Sequence, residues 1–203
     1  MGFTAGEAVI GAVGRLEEEK RFDVLLEAVA LLAPRRPEVR LVVVGEGSLR
    51  PRLQRRCQDL GIAARCRFLG HRSDVRDLYH GFDLFVQSSD HEGSPTVIVE
   101  AMAMEVPVVA TNVGGTGELI ESGAHGLLVP RRQPAAMAQA METTLAGPDA
   151  TRGQVAAARE RVERVLSCQA RTRALEDVYC DLAQQYAPGR KTQEPRKSTV
   201  GHR

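Results

Sequence analysis

The sequence predicts an α/β fold: one open, doubly wound sheet of about six parallel strands, followed by C-terminal helices. Three observations predict it. Short apolar runs alternate strictly with segments whose apolar residues recur at helical spacing between positions 8 and 129. The runs are continuously apolar, as in Leu41-Val42-Val43-Val44, which suits strands covered on both faces. Strand–helix–strand order with right-handed crossovers then makes the sheet parallel and Rossmann-like.

The elements follow in order. Ala8 to Val13 reads as a strand, with a loop from Gly14 to Lys20. Phe22, Leu25, Leu26, Val29 and Leu32 lie on one helical face, and Pro34 and Pro37 stop that helix. Leu41 to Val44 is a strand ending at Gly45. Leu49, Leu53 and Leu60 line a second helix, with Gly61 as its terminator. Cys66 to Leu69 is a short strand, and Asp74 begins a helix with Val75 and Leu78 inward. Leu84 to Val86 is a strand, Pro95 to Met104 an apolar helix and Val106 to Ala110 a strand. Gly117 to Glu121 is a short helix and Leu127 to Val129 the last strand. Helices are expected over Ala135 to Leu145, Thr151 to Leu166 and Gln169 to Tyr186.

Composition narrows the function. The 203 residues are 43% hydrophobic with a formal charge of +1, enough for one well-filled domain and incompatible with general disorder. No excess of Lys and Arg supports nucleic acid as a partner. With three Tyr, five Phe and no Trp, no stacking platform for bases or sugars is evident. Apolar runs fall short of a membrane helix, and the N-terminus lacks the regions of a signal peptide. Cys57, Cys66, Cys168 and Cys180 show no metal-type spacing and read as reduced thiols in a cytoplasmic protein. Residues 1–187 are expected to form the folded lobe. Pro188 to Arg203, with five Lys or Arg against one Glu, reads as a disordered basic tail.

In such a sheet, ligands bind at the carboxyl ends of the strands, so the loops there carry the chemistry. The loop after the first strand, Gly14-Arg15-Leu16-Glu17-Glu18-Glu19-Lys20, is neither G-x-G-x-x-G nor a P-loop. It places two cations five residues apart, suited to phosphate oxygens. The alternative is a solvated turn whose three glutamates neutralise both. After the fourth strand comes Ser88-Ser89-Asp90-His91-Glu92-Gly93-Ser94-Pro95-Thr96. Ser94 has the chemistry of an N-cap and Pro95 that of a first helical residue. The following helix is apolar nearly all round, so burial is expected, with its N–H groups and partial positive charge offered to a phosphate. Glu100 is the only charge in it and, if buried, needs partners: ligand hydroxyls or an arginine. Glu92, eight residues earlier, is either solvated or the second of two carboxylates bracketing the phosphate. The glycines of Thr111-Asn112-Val113-Gly114-Gly115-Thr116-Gly117-Glu118 allow close backbone approach to a ligand, or simply make a turn. No H-E-x-x-H or G-x-S-x-G occurs, and His91 is the one histidine near these loops.

The string Ser89-x-x-Glu92-Gly93-x-Pro95-x-x-x-x-Glu100-Ala101-Met102-Ala103, continuing through Pro107-Val108-Val109-Ala110-Thr111, resembles the E-x7-E signature of family-four retaining glycosyltransferases. Gly14-Arg15-Leu16 with Lys20 resembles that family's phosphate loop. Val113-Gly114-Gly115 with Glu118, and Gly126-Leu127-Leu128-Val129-Pro130, are also similar to it. The resemblance spans about residues 8–186 and implies the C-terminal, donor-binding lobe of a two-lobed GT-B enzyme whose N-terminal acceptor lobe is missing. It implies a nucleotide-sugar donor, hexosyl transfer with retention, and no metal or other cofactor. Arg15, Lys20 and Glu92 become the catalytic candidates. Arg15 and Lys20 would hold the diphosphate, Glu92 the sugar ring and Glu100 the ribose hydroxyls, with base contacts near Leu69 and His71. Gly14, Gly93, Ser94, Pro95 and Thr96 complete the donor-binding set. A lipid-linked or polysaccharide acceptor, and a place at the inner face of the membrane, fit the same family. On its own the lobe is expected to bind nucleotide weakly and transfer nothing. A non-catalytic nucleotide-binding module, or another GT-B-type enzyme such as a phosphorylase or epimerase, are the alternatives.

Two positions depart from the family pattern. Arg21 stands where a glycine commonly follows the lysine, and Glu105 where a glycine usually ends the signature helix. A side chain in a left-handed cap costs roughly 1 kcal/mol, which predicts an altered helix end.

Overall fold

A computed structural model describes residues 6–186. Its elements are β1 (Ala8–Val13), α1 (Phe22–Leu32), β2 (Val39–Val44), α2 (Arg50–Asp59), β3 (Cys66–Gly70), α3 (Val75–Tyr79), β4 (Leu84–Gln87) and α4 (Thr96–Ala103). There follow β5 (Val108–Thr111), α5 (Thr116–Leu119), β6 (Leu127–Val129), α6 (Pro134–Ala146), α7 (Pro148–Arg161) and α8 (Cys168–Gln185). All six strands form one parallel sheet in the order β3-β2-β1-β4-β5-β6. This is the doubly wound arrangement predicted. The basic tail proposed for residues 188–203 lies outside the described residues.

Burial on both faces explains the unbroken apolar strands. Ile10, Leu41, Val43, Leu84 and Val86 pack with Leu25, Leu26 and Val29 of α1 and with Met137 and Met141 of α6. On the opposite face Val42, Val44, Phe85 and Val108 pack with Tyr79, with Ile98 and Met102 of α4, and with Ala158 of α7. Alternate strand residues therefore serve opposite layers.

Some boundaries differ for identifiable reasons. β5 starts at Val108 rather than Val106, because Val106 belongs to the cap of α4 and Pro107 has no N–H to pair. α7 starts at Pro148 and passes into a π-helical turn over Val162–Leu166, where one regular helix to Leu166 was expected. α8 is capped by Ser167, whose hydroxyl accepts from the Ala170 N–H at 3.1 Å. Leu175, Val178, Tyr179 and Leu182 form an exposed apolar stripe along α8.

The end of α4 does not change to suit Glu105. The Glu105 N–H donates to the Met102 carbonyl at 3.2 Å and the Val106 N–H to the Ala101 carbonyl at 2.9 Å, a complete Schellman cap. Glu105 keeps the left-handed conformation at φ 57°. Its strain of roughly 1–2 kcal/mol exceeds the entropy of about 0.5–1 kcal/mol that a glycine loses on folding. Glu105→Gly is therefore expected to raise the melting temperature by about 2 °C. A thermal melt showing no rise would mean that the strain is relieved elsewhere.

Candidate functional site

The strand order reverses between β1 and β4, and a crevice opens there at their carboxyl ends. The loop leaving β1 is sewn to the loop after β2. Gly14 N–H donates to the Val44 carbonyl at 2.9 Å, Leu16 N–H to Glu46 at 2.9 Å, and Leu49 N–H to Leu16 at 3.0 Å. Leu16 itself is fully buried, so the loop is anchored in its middle. A single 3-10 turn over Glu18–Lys20 then brings the chain to Arg21 and α1.

Across the crevice, the β1 and β4 loops bond directly. Asp90 N–H donates to the Glu19 carbonyl at 2.8 Å, and the Ser88 hydroxyl donates to the Lys20 carbonyl at 2.9 Å. The side chains complete the closure. Lys20 Nζ donates to Glu92 Oε1 at 2.6 Å, with the two side chains 22% and 9% exposed. Ser89 Oγ donates to the same oxygen at 2.6 Å, and the buried Thr111 hydroxyl donates to the Ser89 carbonyl at 2.6 Å. Behind Glu92 the β5 loop presses on the β4 loop: Gly115 N–H donates to the Glu92 carbonyl at 3.1 Å. Gly114 is left-handed at φ 47°, and a Cβ there would lie 1.9 Å from the Glu92 carbonyl oxygen.

Asp90 ties a third loop into the site. Its buried carboxylate accepts from Arg132 Nη2 at 2.7 Å and from Arg21 Nη1 at 3.2 Å. These bonds, that from Arg132 foremost, hold its carboxyl below the usual carboxylate range. Arg21 also donates to Asp23 from Nη2 at 2.7 Å. Arg21 and Arg132 are both left-handed, at φ 48° and 58°. The strain predicted at Arg21 is thus present, and two ion pairs with Asp23 and Asp90 offset it.

The predicted residues are distributed unevenly. Lys20 and Glu92 meet. Arg15 does not join them: it is 74% exposed and pairs with Glu19 at 2.7 Å, as the solvated-turn alternative anticipated for that cation. Glu100 is exposed rather than buried, because only one face of α4 is covered, by Ile98, Ala101 and Met102. It accepts from the Tyr79 hydroxyl at 3.0 Å. Burial and the nearby Glu100 charge raise the Tyr79 phenol above its ordinary range, so it stays a donor. Ser94 does not cap α4. Pro95 occupies the cap position with ψ 98°, no side chain among the described residues caps the helix, and Thr96 is the first helical residue. The reason is that Pro95 is buried in an extended conformation, which leaves Ser94 exposed and outside the turn. The first N–H groups of α4 consequently have no side-chain partner at the crevice. Gly14 and Gly93 lie in the two facing loops, and Leu69 and His71 flank the end of edge strand β3. Leu69 packs in the same layer as Tyr79, whereas His71 is exposed.

Asp90, Arg132 and Tyr79 were not found from the sequence. Asp90 is one of several polar residues in its loop, and only the fold brings arginines from two other loops to it. A further cavity of about 560 Å³ opens beside this loop, lined in part by His91, Asn112, Gly114 and Arg131.

Residues 7–147 match the family described as Glycosyl transferases group 1. The lipopolysaccharide core biosynthesis glycosyltransferase LpsE of Rhizobium meliloti is 35% identical over 178 residues, covering 88% of this chain and 50% of its own. The chain thus spans about half the length of that curated relative. The crystal structure of Anabaena Alr3699/HepE in complex with UDP superposes with a TM-score of 0.82 at 27% identity, covering 87% of this chain and 50% of that one. The C-terminal domain of a glycosyl transferase group 1 family protein (LpcC) from Francisella tularensis shares the fold, with a TM-score of 0.74 at 22% identity, covering 79% of this chain and 87% of that one.

Proposed function

This chain belongs to the group 1 glycosyltransferases, and we propose that it is the donor-binding lobe of a retaining, two-lobed enzyme of the GT-B type. That enzyme transfers a hexose-type sugar from a nucleoside diphosphate to an acceptor. The observation that carries the reading is the Lys20–Glu92 pair, which spans the point where the strand order reverses.

The leaving group is a nucleoside diphosphate, whose charge grows as the glycosidic bond breaks. An ammonium and a helix N-terminus aimed at that charge stabilise the transition state more than the ground state. Lys20 supplies the first and the start of α4 the second. Arg15 joins by leaving Glu19, since an exposed pair of this kind is worth at most about 1 kcal/mol. Arg15, Lys20 and Glu92 are therefore the residues assigned to the reaction. Glu92, beside Lys20, meets the sugar ring. Glu100, oriented by Tyr79, accepts the ribose hydroxyls, and the base lies toward Leu69 and His71. With two cations and a helix dipole on the diphosphate, this reading calls for no metal. UDP in the Anabaena structure supports the donor class.

The acceptor, lipid-linked or a polysaccharide, belongs to the partner lobe, so the chain alone binds donor and transfers nothing. A cytoplasmic place at the inner face of the membrane suits such an acceptor. Among the described residues no helix is long and apolar enough to cross a membrane.

Thermal melts of the chain against UDP, GDP, ADP and their sugars test the donor reading. A nucleotide at about 100 times its dissociation constant adds roughly 2.7 kcal/mol, or about 5–10 °C. One nucleotide family is expected to give that shift. No shift from any of them at millimolar concentration would overturn the reading.

A further inference from the structure

We propose that Gln87 is a ligand-binding residue of this site, and that its carboxamide takes an oxygen of the terminal phosphoryl group of the nucleoside diphosphate. The proposal rests on the donor-binding reading and assigns it a residue that no motif contains.

Gln87 is the last residue of β4, after Leu84, Phe85 and Val86. It is 6% exposed, yet neither Oε1 nor Nε2 has a hydrogen-bond partner among the described residues. An amide buried in this way is costly, and folded proteins give nearly all such groups a partner. A leucine here would extend the apolar run of the strand without that cost. Local polar groups do not satisfy the amide: the Ser88 hydroxyl is committed to the Lys20 carbonyl and the Ser89 hydroxyl to Glu92.

The residues gathered around Gln87 point to its ligand. Gln87 lines a cavity of about 10 Å³ together with Val13, Lys20, Ser89, Glu92 and Val97. That is room for one oxygen-sized group. Lys20 brings an ammonium to its wall, and Val97 belongs to the first turn of α4, the positive end of that helix. Glu92 is the acidic group there; the Ser89 hydroxyl also donates to it, and the three N–H donors of Lys20 can be shared between this carboxylate and an incoming oxygen. An anionic oxygen entering the cavity would meet the ammonium, the helix terminus and the Nε2 donor together. The terminal phosphoryl group is bonded to the sugar assigned to Glu92 before transfer, and once the sugar has left it carries the most charge of the diphosphate. It is therefore the group placed here.

Calorimetry on the chain tests this with UDP, GDP and ADP, each against its monophosphate, for wild type and Gln87→Leu. Melting temperatures without nucleotide accompany each titration. The expected result is a variant at least as heat-stable as wild type whose diphosphate Kd rises at least 10-fold, about 1.4 kcal/mol. Its monophosphate Kd is expected to stay within about 2-fold. An unchanged diphosphate Kd in a folded variant overturns the proposal and leaves the donor reading standing. Equal losses for di- and monophosphate overturn the assignment to the terminal phosphoryl group. Wild type that binds none of the three diphosphates overturns the donor reading, and this proposal with it. If Gln87→Leu does not fold, Gln87→Met takes the same measurements. Failure of both to fold makes the amide structural and overturns the proposal.

Discussion

Lys20→Ala, made in the two-lobed protein, is expected to lower turnover at least roughly 100-fold at saturating donor. Removal of one preorganised donor from a developing anion costs about 3 kcal/mol, which is that factor. Two features of this site make the estimate a lower bound. Lys20 is largely shielded from water, so its charge acts at short range in a medium less polar than the bulk. Its loss also leaves Glu92 as an unpaired, nearly buried carboxylate at the place the diphosphate must occupy. Turnover and nucleotide affinity should then fall together, with turnover falling further because the leaving charge grows toward the transition state. A melt of the variant separates this from unfolding. Near-normal turnover in a folded Lys20→Ala protein would remove Lys20 from the reaction.

Gly114→Ala is expected to cost roughly 3 kcal/mol of stability, a fall in melting temperature of about 6–12 °C. The added Cβ would sit 1.9 Å from a backbone oxygen, that of Glu92, which no side-chain rotation can relieve. The left-handed backbone at φ 47° adds its own penalty of about 1–2 kcal/mol. One loop must retreat, and the Gly115–Glu92 hydrogen bond that spans them goes with it. The Glu92 side chain then loses its register with Lys20, so donor affinity should fall along with stability. Gly93→Ala is the matched control. A Cβ there meets nothing within 4 Å, so the melting temperature should move by less than about 2 °C. A Gly114→Ala protein as stable as wild type would show that the two loops are not in contact in solution.

How much of this was readable beforehand differs by element. β2 and α1 were evident from Leu41 to Val44 and from the Phe22–Leu32 periodicity, because strand and helix patterns repeat over a few neighbouring residues. The start of α4 was misjudged. Ser94 and Pro95 have the right chemistry for a helix start, but Pro95, buried and extended, takes the cap itself, one residue later. Arg21 is legible only in part. A residue-level penalty is predictable, whereas the ion pairs with Asp23 and Asp90 that offset it need the fold to be known.

The amino-acid order alone settles the parallel α/β architecture and the family likeness. These depend on local periodicity, turn residues and motifs whose members lie within a few positions of one another. Only the folded chain decides which charges act together. Lys20 and Glu92 are 72 positions apart, and Arg132 reaches Asp90 across 42. Arg15, only five positions from Lys20 in sequence, instead turns to Glu19 and to solvent. Pairing of this kind depends on distance and dielectric in three dimensions, which neighbouring sequence does not encode.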